Sequence, residues 1–348
     1  MVPKEISIRM KKVIESSTNM NVLMVCHVGS SSGLGHLTRS LVVAKALKDQ
    51  FDASVQFLIQ GELIVKNDLE NFDNQFVSLE QSVSLSIQAI NEINKLDIVI
   101  FDLYPGYIPR DMKALLVNLR TSGSKIVAID GLLDYRSELD MIFIPSFQFN
   151  PPVNLGHGAP IIYGWDCFLL DVQDTKIEWE KGQKVLALTG GSDTSELGKT
   201  WPTLLDQVLS EGTELHWVTG PFAQSPYLPD LPHISIHNHE APDGLGSLMK
   251  ASNYAVTVFG VSFFELLYFG VPTVVFSPYN GKDNSQLDAI AEAEVALVAK
   301  NEIEAADMLV DLMNNEACSR NLSKKAHDLL NPQGVIRFCN EIDRLLNY

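Results

Sequence analysis

Short apolar runs alternate with amphipathic runs along almost the whole chain, and the pattern starts afresh near residue 184. In the first half, residues 21–27 (NVLMVCH) form an apolar run that ends at a glycine- and serine-rich turn, residues 29–35. A segment with apolar residues at helical spacing follows, 37–47. This reads as strand, loop, helix. Further strands are expected at 55–59, 97–101, 125–129, 141–144 and 161–163, and helices at 85–93 and 112–119. The second half opens with 184–189 (KVLALT), again running into glycines, and continues with strands at 214–218, 234–236, 254–258 and 273–276. Its helices are expected at 201–209, 245–250, 262–269, 286–293, 303–314, 317–330 and 335–346. Strands that are apolar throughout need cover on both faces, and helices between them imply parallel pairing.

The expected fold is therefore α/β, with two Rossmann-like domains facing across a cleft. A chain of 348 residues exceeds what one core usually organises. The expected division is 1–175 for the N-terminal domain and 176–348 for the C-terminal one, with the polar stretch 171–183 as linker and the last helix placed to cross back. Three prolines and three glycines between residues 147 and 164 suggest loops or crossing chain.

Composition narrows the partners. The 26 Lys and Arg against 43 Asp and Glu leave a net charge of −17, which repels nucleic acid and anionic lipid. A phosphate site on such a surface has to be made locally, from backbone N–H groups and a few cations. Cys26, Cys167, Cys318 and Cys339 lie far apart with no C-x-x-C pair, so free thiols in a reducing cytoplasm are expected rather than a disulfide framework or a zinc site. Residues 1–15 carry four cations but no continuous apolar core, so they do not form a signal peptide. No later stretch approaches the ~18 apolar residues of a membrane span. Ile6, Met10, Val13 and Ile14 would share one face of a basic amphipathic helix, which would dock weakly on a membrane or lie on the protein; Glu5 and Glu15 favour the latter.

Three segments can carry chemistry. The first is Gly33-Leu34-Gly35-His36-Leu37-Thr38-Arg39, between a strand and a helix. Glycines let a ligand approach the backbone, and the helix start offers free N–H groups to an anion. Thr38 occupies the third glycine position of the dinucleotide fingerprint, so that reading fails. His36 sits where open α/β sheets place ligands and suits general-base work, or else caps the helix. Arg39, one turn on, contacts a phosphate or pairs with an acid.

The second segment, Thr189-Gly190-Gly191-Ser192-Asp193, makes an anion nest or a plain tight turn. The third comprises Phe259-Gly260-Val261-Ser262-Phe263-Phe264-Glu265, Gly270-Val271-Pro272 and Asn284-Ser285-Gln286. Ser262 and Glu265 have the spacing of a capping box, and a carboxylate there also suits ribose hydroxyls. His237 and His239 read as solvated loop histidines more readily than as a metal pair, and no Asp-x-Asp triplet exists for a divalent clamp. No Walker-type loop is present.

In order, these pieces resemble the pseudaminic-acid-pathway UDP-sugar hydrolase and its spore-coat polysaccharide relatives, within the glycosyltransferase-B superfamily. The matching residues are Gly29-Ser30-Ser31 with Gly33-Leu34-Gly35-His36 and Arg39; Phe101-Asp102-Leu103-Tyr104; Ile129-Asp130; Tyr163-Gly164 with Phe168-Leu169-Leu170; Gly190-Gly191-Ser192-Asp193; Gly260, Ser262 and Glu265; and Asn284-Ser285-Gln286. The resemblance implies a cytoplasmic, metal-independent, cofactor-free enzyme of surface-glycan biosynthesis. In it, the C-terminal domain holds UDP through Gly190, Gly191, Ser192, Gly260, Val261, Ser262, Glu265, Asn284 and Gln286. His36 is the implied base, activating water for inverting attack at the anomeric carbon of an amino or deoxy sugar. Gly35, Arg39, Asp102, Tyr104 and Asp130 fall on the sugar side, with Asp102 and Asp130 either orienting His36 or binding hydroxyls. The chain departs from the pattern at Gly131, where relatives often carry a second acid, in its N-terminal extension and at 150–160. The peptidoglycan N-acetylglucosaminyltransferase is similar in the same Gly-x-Gly-His loop, so transfer to a glycan or lipid acceptor is the alternative. A non-catalytic sensor is the third reading, and it leaves His36 unexplained.

Overall fold

The computed structural model describes residues 19–30, 32–64, 67–170, 172, 178–279, 281–330 and 333–347. The amphipathic segment at 6–14, Ser31 and, within the expected linker at 171–183, residues 171 and 173–177 lie outside the described residues.

β1 (Asn21–Val28) shows why the apolar runs are continuous. Val22, Met24 and Cys26 enter one core, while Leu23 and Val25 enter another on the opposite face of the sheet. A strand buried on both faces cannot alternate with polar residues, and each such side chain contributes roughly 1.5–3 kcal/mol by leaving water. β8 (Lys184–Leu188) repeats this in the second half, with Leu186 and Leu188 on one side and Val185 and Ala187 on the other.

Around β1 the first sheet adds β2 (Ser54–Gly61), β3 (Asp73–Val77), β4 (Ile98–Asp102), β5 (Lys125–Ile129), β6 (Met141–Phe143) and β7 (Ile161–Ile162). Its order is β3-β2-β1-β4-β5-β6-β7, all parallel. The second sheet adds β9 (Thr213–Thr219), β10 (Ile234–Glu240), β11 (Tyr254–Val258), β12 (Thr273–Phe276) and β13 (Leu297–Val298), ordered β10-β9-β8-β11-β12-β13 and also parallel. In each sheet the order reverses at the central strand. That leaves a crevice between β1 and β4 in the first half and between β8 and β11 in the second, where such sheets bind ligands.

The helices are α1 (Gly35–Phe51), α2 (Val83–Asn94), α3 (Met112–Thr121), α4 (Leu197–Val208), α5 (Gly246–Ala251), α6 (Val261–Tyr268), α7 (Asn284–Ala293), α8 (Glu302–Asn314), α9 (Glu316–Leu329) and α10 (Gly334–Asn347). α10 returns to the first half, where Phe338, Cys339 and Ile342 join the core beneath β1 and the Phe338 ring meets Phe143 at 5.1 Å. The chain crosses at 167–170, and there Cys167 and Leu169 enter the first core while Phe168 and Leu170 enter the second. All four cysteines are free thiols, and Cys26, Cys167 and Cys339 are buried.

Three details correct the sequence reading. β3 was not expected, because its residues (DNQFV) are mostly polar and exposed on the sheet edge. β13, with only two residues, left no signal. β10 continues past Ile236 to Glu240, so His237 and His239 lie on a strand rather than a loop. Pairing with β9 through Thr219 carries the ladder onward, and the ring of His216 stacks between theirs at 5.1 and 5.3 Å.

Candidate functional site

His36 is the second residue of α1, immediately beyond the carboxyl end of β1. The loop that delivers it is closed on itself by Gly33 N–H donating to the Gly29 carbonyl at 2.7 Å. Gly33 adopts φ +69°, which a side chain would strain. Glu62, at the end of β2, fastens the loop from outside by accepting from the Ser30 amide at 2.8 Å and its hydroxyl at 2.7 Å.

Asp102 ends β4, the neighbouring strand at the crevice, and accepts from His36 Nδ1 at 2.6 Å. With Nδ1–H committed to the carboxylate, Nε2 keeps its lone pair and is the nitrogen able to take a proton. The same carboxylate is gripped side-on by Arg39, Nε to Oδ2 at 2.5 Å and Nη2 to Oδ1 at 2.6 Å. Such a fork fixes the carboxylate plane as well as its position. The third guanidinium nitrogen, Nη1, donates to Asp130 at 3.0 Å. Burial alone would raise the Asp102 carboxyl, but the charge of Arg39 and then of His36 outweighs it and holds the group below the usual carboxylate value. Burial likewise opposes the Arg39 charge, and Asp102 outweighs it.

These contacts bear on two readings left open by the sequence. Arg39 is buried with its donors turned to two acids. Asp102 is fully buried, with its oxygens taken by His36 and Arg39. Asp130 remains on the open side, with 46% of its side chain exposed. It holds a left-handed backbone at φ +56°, which costs an Asp about 1 kcal/mol or more. Tyr104 presents its ring edge-on to His36 at 6.4 Å between centroids.

His27, the penultimate residue of β1, escaped the sequence reading. Its Nδ1 accepts from the Tyr104 amide at 2.8 Å and its Nε2 meets Gln60 Oε1 at 3.1 Å, so Nε2 carries the proton and the ring is spent on holding the 102–104 turn. Burial pushes its pKa down, which keeps it neutral. The signal was only a histidine at the end of a buried strand.

The second half brings its glycine loops to the same place. A β-carbon on Gly191 would lie 3.5 Å from the Leu34 amide, and one on Gly35 would lie 3.7 Å from Val261. The His36 loop, the Gly190–Ser192 loop and the start of α6 are therefore in contact across the cleft. Gly220, also missed, explains the second loop's closeness: a β-carbon there would strike the Gly190 and Gly191 carbonyls at 2.4–2.5 Å. Asp193 accepts from the amides of Leu197 and Gly198 at 3.0 and 2.8 Å and so closes the start of α4.

The start of α6 is different. Its N-cap is Gly260, in extended backbone with no side-chain hydrogen bond, and Ser262 lies inside the first turn. The capping box expected from Ser262 and Glu265 is therefore not formed, because the helix begins two residues earlier than the spacing required. Gly260 has open space around it. α7 starts at Asn284, so Ser285 and Gln286 occupy its first turn. They face Asp130, Gln148 and Asn150 of the first half across a cavity of about 210 Å³. Among the described residues no three His, Cys, Asp or Glu side chains gather as a metal set. Nor is any described helix long and apolar enough to cross a membrane.

No family model and no curated protein matches the sequence. Solved structures match over nearly the whole chain. MurG from Acinetobacter baumannii aligns at 13% identity and a TM-score of 0.63, covering 93% of this chain and 99% of its own. CalG4, the calicheamicin glycosyltransferase, aligns at 12% identity and 0.61, covering 95% and 99%. MnaA from S. aureus, solved with UDP, aligns at 12% identity and 0.59, covering 94% and 97%. At such identities the likeness is one of fold, and together with the two sheets it places this chain in the two-Rossmann, GT-B type of architecture.

Proposed function

We propose that this protein is an enzyme that moves the sugar of a UDP-sugar onto a hydroxyl, with His36 as general base. The observation that carries the reading is the His36–Asp102 pair, set at one crevice and facing the glycine loops of the other. A hydroxyl held against His36 Nε2 gives up its proton as its oxygen bonds to the anomeric carbon. The bond from that carbon to the diphosphate breaks from the opposite face, inverting the centre and releasing UDP. Asp102 keeps the imidazole in the accepting tautomer and steadies the imidazolium that forms. Arg39 prevents Asp102 from turning away.

The leaving diphosphate needs positive potential in a chain whose net charge is −17. The amides of Gly190 and Gly191 and the open first turn of α6 at Gly260–Ser262 supply it, with no metal required. Glu265, Asn284 and Gln286 complete the nucleotide-sugar side of this proposal. The similarity in fold to a UDP-bound protein and to a glycosyltransferase supports it. Hydrolysis, with water as the hydroxyl donor, is the second reading. It is favoured by the ordered residues from Gly29 to Gln286 that resemble the UDP-sugar hydrolase.

The test is UDP release from a panel of UDP-sugars in EDTA, with and without hydroxyl acceptors. Release that survives EDTA is expected. Dependence on an acceptor identifies transfer, whereas free sugar without acceptor identifies hydrolysis. Failure to bind UDP would overturn the proposal.

A further inference from the structure

The cavity between Asp130 and the first turn of α7 adjoins the nucleotide-sugar side through Gln286, and no step above uses the rest of its lining. Its volume of about 210 Å³ is below the ~300–1,000 Å³ that encloses a whole drug-sized ligand, so it admits one sugar-ring-sized group. Among the described residues Asp130 is the one charged residue in its lining; Gln148, Asn150, Ser285 and Gln286 supply uncharged polar groups. Gln148 Oε1 is buried beside the cavity, without a hydrogen-bond partner among the described residues. A buried acceptor left unpaired is costly, and a ligand donor would remove that cost. Arg39 approaches Asp130 from behind, but its other donors are bonded to Asp102, so it brings no free cation to the cavity.

We propose that this cavity receives the ring of the transferred sugar and selects an uncharged ring bearing hydroxyl or amide N–H donors, an inference that rests on the UDP-sugar reading. With its side chain turned into the cavity, Gln148 Oε1 accepts from one donor of the ring and the exposed face of Asp130 from another. A ring carrying a carboxylate would meet Asp130 at close range, with no cation in the lining to offset the repulsion.

Calorimetric titration of the full chain with UDP, UDP-glucose, UDP-N-acetylglucosamine and UDP-glucuronate tests this. The two uncharged sugars should bind at least about tenfold more tightly than the glucuronate. Asp130→Asn should narrow that gap, and Asn tolerates the left-handed backbone at this position. Gln148→Leu should weaken the uncharged sugars by about tenfold and leave UDP alone unchanged. If UDP binds but the three sugars differ by less than about twofold, or Gln148→Leu changes nothing, the cavity assignment is overturned and the UDP-sugar reading stands. If UDP does not bind, both fall together.

Discussion

β1 and β8 hold equivalent places at the centres of their sheets, and each runs through glycines into a helix. Behind β1, the helix start carries His36 and Arg39, and the neighbouring strand end adds Asp102. Behind β8, the acid in the loop, Asp193, turns back onto the amides of its own helix. The two aspartates are pushed in opposite directions. Asp102 is held below the ordinary carboxylate value despite burial, chiefly by Arg39. Asp193 is raised by burial, and its two backbone hydrogen bonds only partly offset this. In the proposed reading the first strand–loop–helix unit handles the proton. In the second, Asp193 closes the helix start, which leaves the Gly190 and Gly191 amides and the open turn at Gly260 for an anion.

The largest expected effect breaks the first unit directly. His36→Ala should cut UDP release by about 10²–10⁴-fold while UDP affinity measured by titration stays within about twofold. Normal turnover would remove the base from His36. Arg39→Leu should lower unfolding stability by about 3–5 kcal/mol in denaturant melts, because it leaves Asp102 buried and unpaired. Gly260→Val should fold normally, since its surroundings are open, but weaken UDP by about tenfold through crowding of the α6 start. Asp193→Ala should cost about 0.5–2 kcal/mol as a lost helix cap with turnover per folded molecule preserved. A large loss of turnover there would erase the contrast between the units.

The smallest effect is on the acid limb of stability. Asp102 has a folded pKa below its unfolded value, so its contribution is full above about pH 4 and is lost as pH falls through the folded value. Asp193, raised, acts with the opposite sign, and stability gains from it as pH falls. Asp102→Asn should therefore flatten the slope of stability against pH below about pH 5, and Asp193→Asn should steepen it.

Much of this contrast was legible beforehand. The strands at 125–129, 254–258 and 273–276 were read with the bounds the structure gives, because runs buried on both faces are apolar to their ends. His36 and the glycine loops could be picked out because strand–glycine–helix junctions are where such sheets bind ligands, whereas Asp102 and Asp130 came from the family resemblance of the strand ends that carry them. What could not be read was partnership across distance. Nothing local says that Arg39 turns inward rather than toward a phosphate, since that depends on Asp102 and Asp130, which are 63 and 91 residues away. The α6 cap failed for a smaller reason: capping-box spacing fixes a pattern but not the residue at which a helix starts. Gly220 and Gln148 matter only through what lies opposite them after folding.

The crossing at 167–170 and the return of α10 have a consequence for biosynthesis. The core beneath β1 contains residues from 22 to 342, so its last wall arrives only when α10 has left the ribosome. A nascent chain that stops short of residue 334 exposes the sites where Phe338 and Ile342 belong. The half that carries His36 and Asp102 is the first to be made and the last to close.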